Sequence, residues 1–289
     1  MIEIQRGLLS QEIKIALFFL LAMLATSSIA FFKGFFKINI KESSKVGIIY
    51  FSVVFFIYLF DRFGISSAIF IFIKYFKIHI DPIPFAIYSN LFLDLFLLFL
   101  LVLFCVKENF KTTKQIFKIK SPNSCSVSYD IFIGIISWTI IYPIVSLASS
   151  LLSIFVLVVF KTEILPDQLA INFIKSAMPY PTYFILALIM IVILAPIIEE
   201  FIFRGVLQNY LKNYFNTAIS IILTSSIFAL FHFSLLQKLA NVTILGSIFI
   251  LGCFLGFLYE KQKSLISNIF LHASFNAITI LNIIFFKGV

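Results

Sequence analysis

The sequence is dominated by apolar runs that approach the length needed to cross a lipid bilayer. A membrane-spanning α-helix needs about 20 mainly apolar residues. Hydrophobic residues make up 61% of the chain and charged residues only 12%, with a mean hydropathy of +1.09. No water-soluble domain of 289 residues needs so much apolar surface. The sequence therefore predicts an all-α fold, a polytopic transmembrane helical bundle.

Hydrophobic periodicity and run length predict eight spans. The second span is interrupted by Asp61, Arg62 and Gly64, so it either extends to residue 73 or is followed by an interfacial helix or a separate span. Pro143 predicts a kink or tilt in the long fourth span. The predicted spans are residues 13–32, 46–60, 85–106, 131–160, 182–210, 217–236, 242–259 and 265–286.

The net charge of +9 is carried mainly by lysines in short loops beside the apolar spans. This is the positive-inside pattern of membrane proteins, and it argues against nucleic acid as a partner. With the N-terminus outside, the loops after the odd-numbered spans face the cytoplasm. We expect an integral membrane protein of the bacterial inner membrane, since the Phe, Ile and Lys bias is typical of a bacterial chain. The cytoplasmic lysines would be Lys33, Lys37, Lys41, Lys45, Lys107, Lys111, Lys114, Lys118, Lys120, Lys212, Lys261 and Lys263.

Three ionisable residues, Glu199, Glu200 and Arg204, lie within the fifth predicted span. Each costs about 2.5–3.5 kcal/mol at bilayer depth on insertion scales, which indicates a functional use. Glu200 and Arg204 are four residues apart in the order that favours a helical ion pair. Glu199 points about 100° away from Glu200 around the helix. It has no cationic partner on its own helix, so it is a candidate general base.

Two histidines lie in later predicted spans, His232 in the sixth and His272 in the eighth. Asn276 follows His272 by one helical turn and shares its face. The fifth and sixth spans form a hairpin in which Glu199 and His232 lie roughly 22–27 Å from the turn, at 1.5 Å per residue. These two side chains can therefore face each other, and His272 can reach the same depth.

The ordered set of motifs resembles that of the CPBP family, the CAAX proteases and bacteriocin-processing enzymes also called the Abi family. The family pattern is EExxxR, then FxxxH, then a glycine-containing apolar span, then HxxxN or HxxxD. In this chain the pattern covers roughly residues 180–280, and the residues before it show only apolar spans. The matching positions are Glu199, Glu200, Arg204, Phe228, His232, Gly252, Gly256, His272 and Asn276.

The resemblance implies an intramembrane endopeptidase that cuts a membrane-embedded or membrane-anchored peptide near its C-terminus. It assigns water activation to Glu199 with His232, and oxyanion support to His272 and Asn276. Glu200 and Arg204 would form a supporting pair. It also divides the chain into N-terminal transmembrane helices, residues 1–180, and a catalytic core, residues 181–289, within one membrane domain.

A second mechanism uses the same residues, because Glu199, His232 and His272 can together ligate Zn²⁺ and acidify a bound water. The family has been described both as metalloprotease and as glutamate protease. We favour metal-free catalysis, since the chain lacks the HExxH motif that places two histidine ligands one turn apart.

Two functions of other classes remain open from the sequence. A transporter can use buried Glu and His side chains as a proton or cation relay, although the chain shows no internal repeat of the kind common in transporters. A non-catalytic immunity protein would bind a toxin or its receptor without cleaving a peptide. For a bacterial member of the CPBP family, the expected roles are processing of membrane-bound peptides, bacteriocin maturation or immunity, or action on membrane-anchored regulators.

Overall fold

The computed structural model describes residues 2–37, 45–108, 110–117, 126–162 and 166–286. Within these ranges every regular element is a helix, which confirms the predicted all-α bundle. In this described part of the chain, seven helices are long and apolar enough to cross a membrane, and an eighth apolar helix is shorter. In chain order the helices are α1 (Ile2–Phe32), α2 (Ile48–Tyr75), α3 (Pro82–Lys107), α4 (Lys111–Phe117), α5 (Val127–Phe160), α6 (Leu169–Ala177), α7 (Pro181–Leu211), α8 (Thr217–Leu230), α9 (Ala240–Gln262) and α10 (Leu265–Phe286).

The interrupted second span is one continuous helix, α2, of 28 residues. Its interruption takes the form of a π-helical segment, Phe60–Ile65, which holds Asp61 and Arg62. Arg62 pairs with Asp94 of α3 at 2.5 Å, so the two charges satisfy each other between neighbouring helices. Of the three continuations considered from the sequence, the extension of the span is the one observed.

The prediction for the sixth span, residues 217–236, is wrong at its C-terminal end. Helix α8 ends at Leu230 after 14 residues, too short to cross a bilayer in regular helix. The chain then forms a turn at His232 and a short 3₁₀ helix, Leu235–Gln237, before α9 begins. The apolar run continues through this turn, and for this reason hydropathy alone does not reveal the helix end.

The N-terminal helices and the C-terminal helices pack against each other through shared buried clusters. Helix α1 packs along α5, α5 packs on α9 and α10, and α8 packs on α9. One buried cluster joins Val54 and Leu97 of the N-terminal helices to Ile202 of α7 and Leu265 of α10. The long helix α7 therefore lies at the centre of the packing, with partners on several sides.

The loops between α1 and α2, around α4, between α7 and α8, and between α9 and α10 meet at one end of the bundle, called here the lysine-rich end. Asn213 donates to the Val46 carbonyl at 2.7 Å, and Tyr259 donates to the Ile116 carbonyl at 3.1 Å. Lys261 donates to the carbonyl of Lys37 at 3.1 Å. This end carries the described lysines that the sequence assigns to the cytoplasm, and its orientation across the membrane stays a prediction. Lys41, Lys118 and Lys120 lie outside the described residues.

Candidate active site

The ion pair expected within α7 is present and fully buried. The Arg204 guanidinium donates to Glu200 Oε1 at 2.8 Å, and both side chains are 0% exposed. A second guanidinium nitrogen reaches the Gly252 carbonyl of α9 at 3.3 Å, and the cation lies 4.3 Å from the Phe228 ring centroid. The pair therefore links α7 to both α8 and α9. Gly252 suits this contact, because a Cβ there would lie 3.3 Å from the same guanidinium nitrogen.

Glu200 also fixes the orientation of His272 from α10. The distance from His272 Nδ1 to Glu200 Oε1 is 2.8 Å, and Asn268 Nδ2 donates to Glu200 Oε2 at 3.3 Å. Because a carboxylate accepts and does not donate, Nδ1 of His272 carries a hydrogen. The other ring nitrogen, Nε2, is then turned towards Glu199, with 3.8 Å between Nε2 and Oε2. The carboxylate paired with Arg204 thus positions a histidine beside the second carboxylate.

Glu199 differs from its neighbour in exposure and in its surroundings. Its side chain is 23% exposed, whereas that of Glu200 is fully buried. It lines a cavity of about 190 Å³ together with His232, His272 and Asn276. The four residues that the sequence singles out for chemistry thus come together at one cavity, from α7, the turn after α8, and α10. Their chemical roles stay a prediction.

His232 lies in the turn after α8. The sequence analysis placed it within the sixth span, and that placement is wrong. Its Nδ1 is 2.9 Å from the carbonyl oxygen of Phe228, one turn earlier. Because that oxygen can only accept, Nδ1 carries a hydrogen, and in this tautomer Nε2 is the ring's acceptor nitrogen. The Phe228 ring packs edge-on against both His232 and His272, at centroid distances of 4.9 and 6.1 Å. Phe228 therefore separates and orients the two imidazoles.

Asn276 donates through Nδ2 to the Ile191 carbonyl at 2.9 Å. Ile191 belongs to a π-helical segment of α7, Met190–Leu194. A primary amide has two N–H groups, so this contact leaves the second one for another acceptor. The Asn276 side chain is thus held on the cavity wall, and its second N–H group can donate to another acceptor.

The donor set of the cavity does not meet the needs of a zinc ion. Zinc sites use three or four His, Cys, Asp or Glu side chains in close tetrahedral array. Across the described ranges, no group of three such side chains could hold a metal ion. The arrangement of Glu199, His232 and His272 therefore does not fit the zinc set considered from the sequence.

Sequence reasoning missed one residue of the Glu200 network and one wall of the cavity. Asn268 holds Glu200 and also donates to the Leu255 carbonyl at 2.7 Å. Its signal was available, because Asn268, His272 and Asn276 are spaced four apart and share one face of α10. The wall is formed by α6, whose residues line the cavity although no motif marks them.

Residues 181–278 match a family described as type II CAAX prenyl endopeptidase, Rce1-like. The matched segment is about a third of the chain and contains Glu199, Glu200, Arg204, His232, His272 and Asn276. No curated protein and no solved structure gives a match.

Proposed function

We propose that this multi-pass membrane protein, whose residues 181–278 match the CAAX prenyl endopeptidase family, is an intramembrane peptidase. It hydrolyses a peptide bond of a membrane-anchored peptide, near the peptide's C-terminus, with water activated by Glu199 and His232. The observation that carries the proposal is the shared cavity. Glu199, His232, His272 and Asn276 come from three separate parts of the chain and line the same space.

In the first step the Glu199 carboxylate takes a proton from water while the water oxygen bonds to the scissile carbonyl carbon. The Nε2 lone pair of His232 accepts a hydrogen bond from the other O–H of the water, which stays on the oxygen, and so orients the nucleophile. The carbonyl π electrons move to oxygen, which becomes an oxyanion. A general base placed in this way contributes about 10²–10⁴ to a rate.

The oxyanion accepts hydrogen bonds from His272 Nε2 and from the free N–H of Asn276, the kind of preorganised donors that such charge requires. His272 can donate through Nε2 only as an imidazolium, because Nδ1 already donates to Glu200. The charges then balance, with two carboxylates, Glu199 and Glu200, against His272 and Arg204. In the last step the oxyanion electrons re-form the carbonyl as the C–N bond breaks. The leaving amine takes the proton from Glu199, and the carboxylate is restored.

The test is Glu199→Gln in purified protein, assayed in liposomes on membrane-anchored fluorogenic peptides. We expect the cleavage rate to fall at least 100-fold, because the amide cannot accept the water proton. Glu108→Gln is the matched control. Glu108 lies beyond the end of α3 at the lysine-rich end, where it bonds Thr112, and its loss should leave the rate unchanged.

Cleavage by Glu199→Gln at the wild-type rate would refute the proposal. Binding of a toxin that survives the substitution, with no cleavage by the wild-type protein, would favour an immunity protein. Ion-coupled flux without a cleavage product would favour a transporter.

A second arm of the experiment addresses the metal. Since the donor set does not fit zinc, cleavage should be unaffected by a chelator. Zinc at unit stoichiometry in the purified protein, together with loss of cleavage on chelation, would overturn the metal-free mechanism.

A further inference from the structure

Helix α6 forms one wall of the cavity, although it lies outside the segment that matches the protease family. Gln168, which precedes the helix, and Ile171 and Ile174 within it line the cavity at a spacing of three residues. Within the helix, this spacing puts Ile171 and Ile174 on one face. Leu169 lies outside this set and is 46% exposed. The helix thus presents one defined face to the candidate active site.

This wall is held in place at its C-terminal half. Ile174 is 1% exposed and Ala177 is 0% exposed, and both belong to a core cluster with Met190 of α7 and Ile280 of α10. Asp167, just before the helix, pairs with Lys175 at 2.8 Å. Because Ile174 and Ala177 are packed in the core, they hold the helix, and with it Ile171, in position beside the cavity.

The lining of the cavity is largely apolar. Besides Ile171, its wall includes Ile248, Leu251, Phe275 and Ile283. Gln168 supplies a polar group, an amide that can both donate and accept. A pocket with apolar walls and few polar groups takes an apolar group and fixes its orientation through those few polar contacts.

We propose that α6 selects the substrate, with Ile171 contacting an apolar side chain next to the scissile bond and Gln168 hydrogen-bonding the peptide main chain. The inference rests on the proposed function, since it assigns part of the same cavity to substrate recognition. It predicts that the volume at position 171 sets the size of the side chain that fits.

The test uses peptides that differ only in one apolar residue beside the cleaved bond, from alanine through valine to phenylalanine. Ile171→Ala enlarges the pocket and should shift the kcat/KM ratio towards the large side chain by about 10-fold, the scale of a change of one methylene or more. Ile171→Phe narrows the pocket and should shift the ratio towards alanine by a similar factor. Gln168→Ala should lower kcat/KM for all the peptides alike.

Leu169→Ala is the matched control, because it shortens an apolar side chain of the same helix that does not line the cavity. It should leave the ratio at the wild-type value. A ratio that Ile171→Ala and Ile171→Phe leave unchanged, or shift in the same direction, would overturn the inference. Ile171→Val, a smaller change, gives a readout if either variant fails to fold.

The same peptides are also measured for binding to proteins that carry Glu199→Gln in addition. The order of dissociation constants should follow the volume at position 171 even without turnover. If Glu199→Gln still cleaves but the variants at position 171 change the peptide preference, the proposed role of Glu199 is wrong and the role of α6 in substrate selection is supported. If Glu199→Gln is inactive and the variants at position 171 leave the peptide preference unchanged, the role of Glu199 is supported and the role of α6 in substrate selection is wrong.

Discussion

Glu200 performs no chemical step in the proposed mechanism, yet three side chains depend on it. Its two oxygens accept from Arg204, His272 and Asn268, and the carboxylate is completely buried. A buried charge is tolerated when it is paired and hydrogen-bonded, and removing one partner leaves an uncompensated ion. Glu200 and Arg204 therefore act as one unit that orients the His272 ring.

Arg204→Met should lower the free energy of unfolding by about 3–5 kcal/mol, because it leaves Glu200 buried without its cation. The measurement is equilibrium unfolding in mixed micelles. The double variant Glu200→Gln with Arg204→Met should recover part of the loss, which a double-mutant cycle detects.

The matched control for Arg204→Met is Lys175→Met, which breaks an ion pair of the same 2.8 Å length. Its partners are 35% and 32% exposed, so water screens the pair and the loss should stay below about 1 kcal/mol. Equal losses for the two variants would mean that Glu200 tolerates the removal of its buried cation as well as an exposed carboxylate does.

At the residue scale, spacing along one helix was predictable and contacts between helices were not. The four-residue separation of Glu200 and Arg204 was sufficient to predict their pair. The depth argument allowed Glu199 and His232 to face each other, but depth says nothing of rotation about a helix axis. The choice of Glu200 rather than Glu199 as the hydrogen-bond partner of His272 Nδ1 depends on that rotation, and the sequence does not specify it.

At the element scale, close approach of helices is achieved with glycines. A Cβ on Gly134 of α5 would lie 2.4 Å from the Ser267 carbonyl oxygen of α10. A Cβ on Gly256 of α9 would lie 2.8 Å from Gln208 Oε1 of α7. Small residues let transmembrane helices approach in this way. The Gly134 contact is with backbone and so cannot be relieved by a change of rotamer.

Gly134→Ala should therefore destabilise the protein by about 1–3 kcal/mol, the usual cost of overpacking. Because α10 carries His272 and Asn276, the displacement of α10 should also lower cleavage activity. The measurements are thermal unfolding and the cleavage rate in the same micelles.

Gly7→Ala is the control for Gly134→Ala, since Gly7 lies in helix α1 and a Cβ there meets no atom within 4 Å. Alanine at that position should be neutral or slightly stabilising, as helix propensity favours it. Unchanged stability and activity in Gly134→Ala would show that α5 and α10 can separate without cost.

Helix ends were harder to predict than helix existence. The long apolar runs of α3, α5, α9 and α10 were recognisable because length and hydropathy coincide. Helix α8 was not, because Leu235 and Leu236 keep the run apolar after the helix has ended. Helix α6 escaped notice for the opposite reason, since nine residues with Lys175 and Asn172 are too short and too polar to register as a span.

At the scale of the whole molecule, the lysine-rich end is closed by a second buried ionic network, centred on Glu260 of α9. Lys212 donates to Glu260 Oε1 at 2.7 Å, and Lys263 donates to Oε2 at 3.0 Å. Gln208 of α7 donates to Oε1 at 2.9 Å. Glu260 thus joins the C-terminal end of α7 to the turn between α9 and α10. Helices α7 and α10 carry residues of the candidate site.

Burial lowers the pKa of Lys212, while the nearby Glu260 carboxylate opposes the shift. Glu260→Gln removes that opposition and should destabilise the protein by about 3 kcal/mol near neutral pH. A lysine whose pKa is lower in the folded state binds fewer protons when folded than when unfolded. Stability then rises with pH, up to the ordinary lysine value of about 10.4.

The deficit of Glu260→Gln should accordingly shrink as the pH is raised from about 7 towards 10, because Lys212 can lose its proton and remain buried as a neutral amine. The free energy of unfolding, measured for the wild-type protein and the variant at several pH values in this range, shows whether the difference between them shrinks. Adding Lys212→Met to Glu260→Gln removes the titrating group and should abolish the extra pH dependence. A deficit that is constant with pH, or that grows, would mean that Lys212 is not the group that Glu260 compensates.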